Sequence, residues 1–279
     1  MIGDIMKLAV IGCGYVGETV YKALKVESKL SIPKRVNVLR VDPPKGFHTE
    51  YSELVDCDAV FICVPSPQDE DGSADTSILE SVLDNLKKVN YENLIISKVT
   101  APPDVYKRLH LTNPNLVHVP EFLTAYNAFY DYVMNPVIII GGDGIWADKA
   151  DRIVRLSKSD PKETMFCSIV DAAVIKYAIN SFLAMKVIFF NELKTLSDNC
   201  GASWHKVRKG VTTDLRISES HSFVPGSDGQ YGFGGMCFPK DTSAFLHFAD
   251  SLGIDLAVIR SAVEKNQEIK FQAEIQKII

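Results

Sequence analysis

The sequence has no C-x-x-C spacing and no dense cysteine framework; its six cysteines lie scattered at Cys13, Cys57, Cys63, Cys167, Cys200 and Cys237. Such scatter argues against zinc and against a disulfide scaffold, and it fits reduced thiols in a cytoplasm. Positive charge is not in excess. With 30 Lys and Arg against 35 Asp and Glu, the formal net charge is −5, which argues against nucleic acid or a membrane surface as partner. There is no internal repeat and no low-complexity tract. The opening residues, MIGDIMK, lack a secretory signal pattern. No apolar run reads as a clean membrane span. The longest, Ala172 to Leu196, is interrupted by Lys176, Asn180, Lys186, Asn191 and Glu192. What is present is ordinary for a globular protein: 46% hydrophobic and 23% charged residues over a chain of 279. That length is enough for two domains with full cores.

The first half alternates strand and helix patterns. KLAVIG, from Lys7, is a short apolar run suited to a buried parallel strand. Gly12, Gly14 and Gly17 follow in G-x-G-x-x-G spacing, then a helical pattern from about Tyr15 to Lys25, then VNVLRV ending at Asp42. Alone the glycine motif is weak. With strand, turn, helix, strand and terminal acid in one unit it points to a dinucleotide. The glycines let the backbone approach a pyrophosphate at the helix N-terminus, where Tyr15 and Val16 lie. Asp42 would accept hydrogen bonds from a ribose 2′-hydroxyl and repel a 2′-phosphate, favouring NAD over NADP. DAVFICV is another buried-strand run leading into Val64, Pro65 and Ser66. At the carboxyl end of a parallel strand these residues should line the cofactor site. Gln68 to Asp75 reads as a polar, mobile loop, and Thr76 to Val89 as an amphipathic helix. LIISKV, Leu94 to Val99, leads to Thr100, LVHVP leads to Glu121, and VIIIG, Val137 to Gly141, is expected to close the sheet. The pattern predicts an α/β class: an N-terminal Rossmann-type, doubly wound parallel sheet over residues 1–167. An all-α domain with a long central helix is expected over 168–279.

Two stretches in the second half carry chemistry. In the central helix, Lys176 and Asn180 sit four apart and share a face, with Asn191 near the same stripe three turns on. A lysine inside an apolar helix needs a partner, and it could support proton transfer or a developing oxyanion; a lysine snorkelling to the helix edge beside a satisfied Asn is the alternative. The second stretch, GFGGMCFPKD from Gly232 to Asp241, crowds glycines around Cys237 and ends in Lys240-Asp241. If Cys237 opens a helix, the N-terminus favours its thiolate, and Asp241 falls one turn on. A buried structural cysteine in a glycine loop is the alternative. The long apolar helix also needs cover, which a second copy would supply, so a homodimer is expected.

The motifs KLAVIGCGYVG, VPSP, SKVTAPP, VPEFL, VIKYAINSFLAMKVIFFNEL and YGFGGMCFPKDT occur together and in order. The chain thereby resembles the UDP-glucose/GDP-mannose dehydrogenase family, over essentially its whole length. The resemblance implies a Rossmann domain, a helical dimerisation domain, NAD as cofactor and a nucleotide-sugar substrate. It implies oxidation of a sugar primary alcohol to a carboxylate in two NAD-dependent steps, with Cys237 as nucleophile. Lys176 and Asn180 would hold the reacting oxygen, Asp241 and Thr100 would position water or relay protons, and Glu121 would be an acid-base residue. Phe122, Leu123, Tyr231, Gly232 and Gly234 would contact substrate, Lys240 would lie at the cofactor, and Arg216 would reach a neighbouring subunit's site. There are two departures. Ala125 stands where the family usually has a second glutamate, and the chain ends near the expected end of the middle domain, without the usual C-terminal nucleotide-binding domain. A two-electron hydroxyacid-type dehydrogenase and a catalytically incomplete NAD-binding dimeric subunit remain alternatives.

Overall fold

The structure is a computed structural model that describes residues 5–27, 36–124 and 127–278; Ala125 lies outside them. The chain divides into two compact units. The first comprises residues up to Pro67 together with Asp75–Lys176, and the second comprises Gln68–Ala74 together with Tyr177 onward.

The first unit is built on an eight-stranded sheet. Its strands are β1 (Met6–Ile11), β2 (Val36–Asp42), β3 (Phe47–His48), β4 (Ala59–Ile62), β5 (Leu94–Ser97), β6 (Leu116–His118), β7 (Val137–Gly141) and β8 (Glu163–Cys167). Their order is β3-β2-β1-β4-β5-β6-β7-β8. Pairing is parallel except at β2–β3 and at the single β6–β7 bridge between His118 and Gly141. The helices of this unit are α1 (Tyr15–Glu27), α2 (Ser77–Lys88), α3 (Pro103–Thr112), α4 (Ala128–Met134) and α5 (Gly144–Arg155).

Successive strand residues point to opposite faces, and both faces are covered. Leu8, Val10, Phe61 and Ile96 pack with Val20, Leu24, Tyr132, Ala150 and Val154 from α1, α4 and α5. Ala9, Ile11, Val60, Ile62 and Ile95 pack with Leu79, Leu83, Leu86, Tyr106 and Leu109 from α2 and α3. Burial on both sides explains why β1, β4 and β5 read as unbroken apolar runs rather than as alternation. It also produces the doubly wound α/β architecture that the sequence predicts.

Two expectations are corrected. β7 does not close the sheet, because β8 pairs with it in parallel over five residues. As an edge strand half open to solvent, with Met165 and Phe166 exposed, β8 lacks the continuous apolar signature of the inner strands. The polar segment after Pro67 is not an irregular loop. It is a hydrogen-bonded hairpin, with a Gln68–Ala74 bridge and Asp69 N–H donating to Ser73 O at 2.9 Å.

The second unit is helical: most of α6 (Ile169–Asn199), then α7 (Trp204–Thr212), α8 (Phe238–Ser251) and α9 (Ala257–Ile278). The 68–74 hairpin belongs here. Gln68 Nε2 donates to Ser243 Oγ on α8 at 3.1 Å, and Ser243 Oγ donates to Gly72 O at 3.0 Å. Ala184 and Ile188 of α6 pack with Phe233, Ala262 and the partly buried Phe238. Among the described residues, α6 is the one helix long and apolar enough to cross a membrane. Its polar residues Lys176, Asn180 and Asn191 are all buried against protein. All six cysteines are free thiols.

Candidate functional site

In the first unit, the turn after β1 has the shape a dinucleotide needs. Gly12 sits at φ +85°, and a Cβ there would come within 2.8 Å of the Cys63 and Val64 main chain. A Cβ on Gly17 would land on the Gly12 carbonyl oxygen, whereas Gly14 has nothing within 4 Å of its added Cβ. So two glycines let the turn fold tightly against β4 and α1, and the third leaves an open approach to the backbone. Tyr15 opens α1, and Val16 packs on the core beneath. The open turn and the α1 N-terminus fit a pyrophosphate. At the end of β2, Asp42 Oδ2 accepts the Cys13 N–H at 2.7 Å, which seats its carboxylate over the turn. Lys45, absent from the sequence expectations, donates to the Cys13 carbonyl at 2.7 Å. After β4, Val64 is partly buried and Pro65 exposed, and Ser66 Oγ donates to the Thr100 carbonyl at 2.8 Å. Pro65, Ser66 and Thr100 thus lie at the carboxyl ends of β4 and β5, where an open parallel sheet takes its ligands.

Glu121 is 7% exposed and faces two ways. Its main-chain carbonyl accepts Lys176 Nζ, while its carboxylate pairs with Lys98, whose side chain is fully buried. Lys158 lies 3.9 Å from the other carboxylate oxygen; its Nζ donates to Tyr132 O at 2.6 Å and sits over the Tyr132 ring. Burial pulls the Lys158 ammonium down to about 8 against the support of Glu121. The sequence contains one signal for this cluster, a lysine at the end of the apolar run LIISKV; nothing local marks Lys158. Lys176 also lies 5.0 Å from the Phe122 ring centroid, and Leu123 packs on the core. Beside the cluster, His118 is buried and stacked on Tyr106. Its Nδ1 lies 3.1 Å from the Ser97 carbonyl and so carries the proton, while Nε2 has no partner among the described residues. Burial first, then Lys98 and Lys176, hold its imidazole down at about 3.

In the second unit, Cys237 is the N-cap residue of α8 and is exposed; its carbonyl accepts the Asp241 N–H at 2.8 Å. Asp241 is 1% exposed. One of its oxygens takes Asn180 Nδ2 at 2.5 Å and the other takes Lys240 Nζ at 2.5 Å. Cys237 thus opens α8, and Asp241 follows one turn on with its carboxylate buried and held. Burial pushes the Cys13 and Cys57 thiols up to about 11 and Cys63 to about 12. Those three are protonated packing residues. Gly232, at φ +72°, donates its N–H to Asn191 Oδ1 at 3.0 Å, and an added Cβ at Gly234 would come within 3.3 Å of Lys270 Nζ. Tyr231 is exposed. Arg216, 89% exposed, is paired with Asp214 at 2.6 Å.

Comparison with known proteins agrees with this geometry. Residues 44–153 match the NAD binding domain, and residues 170–268 the central domain, of the UDP-glucose/GDP-mannose dehydrogenase family. A UDP-glucose 6-dehydrogenase of Rickettsia felis is 30% identical over 225 residues, covering 78% of this chain and 49% of that protein. A putative UDP-glucose 6-dehydrogenase of Bacillus subtilis is 30% identical over 305 residues, covering 98% of this chain and 70% of that protein. The solved UDP-glucose dehydrogenase of Pyrobaculum islandicum superposes with a TM-score of 0.79 at 27% identity, over 95% of this chain and 68% of that one. The chain thus spans about half the length of the Rickettsia relative. With the glycine turn, the acid ending β2, the polar stripe on α6 and the cysteine capping α8 all in place, the chain belongs to the UDP-glucose/GDP-mannose dehydrogenase family.

Proposed function

We propose that the chain carries out NAD-dependent oxidation of a nucleotide-sugar primary alcohol to the carboxylate, with UDP-glucose as the first substrate to try. The observation that carries this reading is Cys237, exposed at the start of α8 one turn before a buried Asp241 that Asn180 and Lys240 hold in place. A two-electron alcohol dehydrogenase has no use for such a thiol. NAD, bound at the Gly12–Gly17 turn with Asp42 on its ribose, would supply the hydride acceptor for both oxidations.

Cys237 would add as thiolate to the aldehyde formed first, giving a thiohemiacetal. Loss of a second hydride and a proton leaves a thioester, which water cleaves to the acid and free thiol. Lys176 and Asn180 would steady the oxygen as its charge develops. Asp241 would orient water or take its proton, with Thr100 assisting. Glu121 would hold Lys176 through its carbonyl, because its carboxylate is already engaged by Lys98. Phe122, Leu123, Tyr231, Gly232 and Gly234 would border the sugar. Arg216, exposed and paired with Asp214, would serve the site of a neighbouring copy. The dimer this requires would form along α6, where Phe182, Phe189 and Leu196 are exposed at seven-residue spacing on one face.

The test is a panel of nucleotide sugars with NAD, counting NADH per sugar consumed. Two NADH are expected per sugar, and Cys237→Ala should abolish acid formation. Lys176→Ala should slow turnover by roughly a hundred- to a thousandfold. One NADH per sugar, unchanged by Cys237→Ser, would overturn the reading.

A further inference from the structure

The segment that presents Cys237 is an arch between two aromatic feet, Phe233 buried and Phe238 partly buried. Phe233 is 3% exposed, and it packs edge-on against Phe238 with ring centroids 6.4 Å apart. Both rings join the apolar cluster of the helical unit. Between them Gly235, Met236 and Cys237 are exposed, Met236 by 87%. Two glycines in this span make it too compliant to hold its own shape, so its position must come from what grips its feet.

Two buried asparagines grip the first foot. From α9, the Asn266 carboxamide makes a two-point pairing with one residue. Its Oδ1 accepts the Phe233 N–H at 2.7 Å, and its Nδ2 donates to the Phe233 carbonyl at 3.1 Å. This satisfies a buried peptide group as a neighbouring β-strand would. From α6, Asn191 Oδ1 accepts the Gly232 N–H at 3.0 Å, while its Nδ2 is spent within the helix on Val187 O at 2.8 Å. Asn266 also explains the glycine beside it, since a Cβ on Gly232 would land on its Oδ1. Asn191 and Asn266 are 5% and 6% exposed, so neither grip is shared with bulk water.

We infer that Asn191 and Asn266 are positioning residues for Cys237, setting from α6 and α9 the path of the glycine segment that displays the thiol to the sugar. The inference rests on the proposed role of Cys237 as nucleophile. The two asparagines differ in which atoms reach the segment, and that difference provides the test. At 191 only the oxygen is used on the segment, so Asn191→Asp keeps that contact and gives up only the bond to Val187 within α6, whereas Asn191→Ala loses both. At 266 both atoms are used, so Asn266→Asp keeps the N–H acceptor but sets an oxygen against the Phe233 carbonyl.

In the full chain, site-resolved mass spectrometry would follow iodoacetamide labelling of Cys237, with the exposed Cys200 as internal reference. Asn191→Asp should label like the parent. Asn191→Ala, Asn266→Ala and Asn266→Asp should shift the Cys237-to-Cys200 ratio by at least about threefold. With a nucleotide sugar that turns over, the same three should raise its KM by roughly tenfold, the size of one or two net hydrogen bonds, and leave the KM for NAD in place. Generalised misfolding would move both KM values or only the active fraction. Parent-like labelling in Asn266→Asp, or equal damage from Asn191→Asp and Asn191→Ala, would overturn the inference. If no sugar is turned over, the proposed function fails, and the labelling ratio still decides whether the asparagines set the thiol's position.

Discussion

Lys98→Met should be among the most damaging single changes in the sheet unit. The Lys98 side chain is fully buried and contacts both the Glu121 carboxylate and the Val119 carbonyl, the latter at 3.3 Å. Methionine fills similar volume, so the loss is electrostatic rather than a cavity. Removing one partner of a buried ion pair costs about 3–5 kcal/mol, because the other charge stays buried. Here Lys158 stands 3.9 Å from the second Glu121 oxygen and can take over part of the pairing, so about 3 kcal/mol is expected. For a chain of this size that corresponds to a fall in Tm of roughly 6–12 °C. The assay is thermal and urea unfolding of parent, Lys98→Met, Glu121→Gln and the double variant. Because the double variant removes both charges, its loss should be well below the sum of the singles, with a coupling of about 1–3 kcal/mol. A Lys98→Met loss under about 1 kcal/mol, or strict additivity, would refute the reasoning.

Three further predictions follow from the same structure. Burial holds His118 neutral, with its folded value about 3 against an ordinary 6.5. As pH falls below 6.5 the unfolded chain takes up a proton that the folded chain refuses, so stability drains away between 6.5 and 3, by about 2 kcal/mol at pH 5. His118→Phe should flatten that acid limb in urea titrations at pH 7 and 5, and an unchanged slope would count against it. Gly17→Ala places a methyl on the Gly12 carbonyl oxygen; calorimetry should show NAD affinity reduced by at least about tenfold, and parent-like affinity would remove the turn from the cofactor site. Phe182→Asp on the exposed stripe of α6 should shift a dimer to monomer in sedimentation velocity, whereas a parent that already sediments as a monomer would dispose of the α6 interface.

The sequence by itself determined whatever depends on near neighbours. The glycine spacing, the acid ending β2, the unbroken apolar strands and the cysteine opening α8 each act within a few residues of chain, where periodicity and backbone freedom leave a readable mark. The pairing of Lys176 with Asn180 on one helical face belongs to the same class. Tertiary structure decided the rest. Lys98 meets Glu121 across 23 residues, and Asn266 meets Phe233 across 33; a lysine closing an apolar run hints that it needs a partner, but no local pattern says which residue that is. β8 escaped notice because an edge strand open to solvent does not need an apolar run, and the 68–74 hairpin because its order comes from Ser243 on a distant helix. Buried polar groups must find partners wherever the packed chain brings them, and that requirement is met only once the chain has folded.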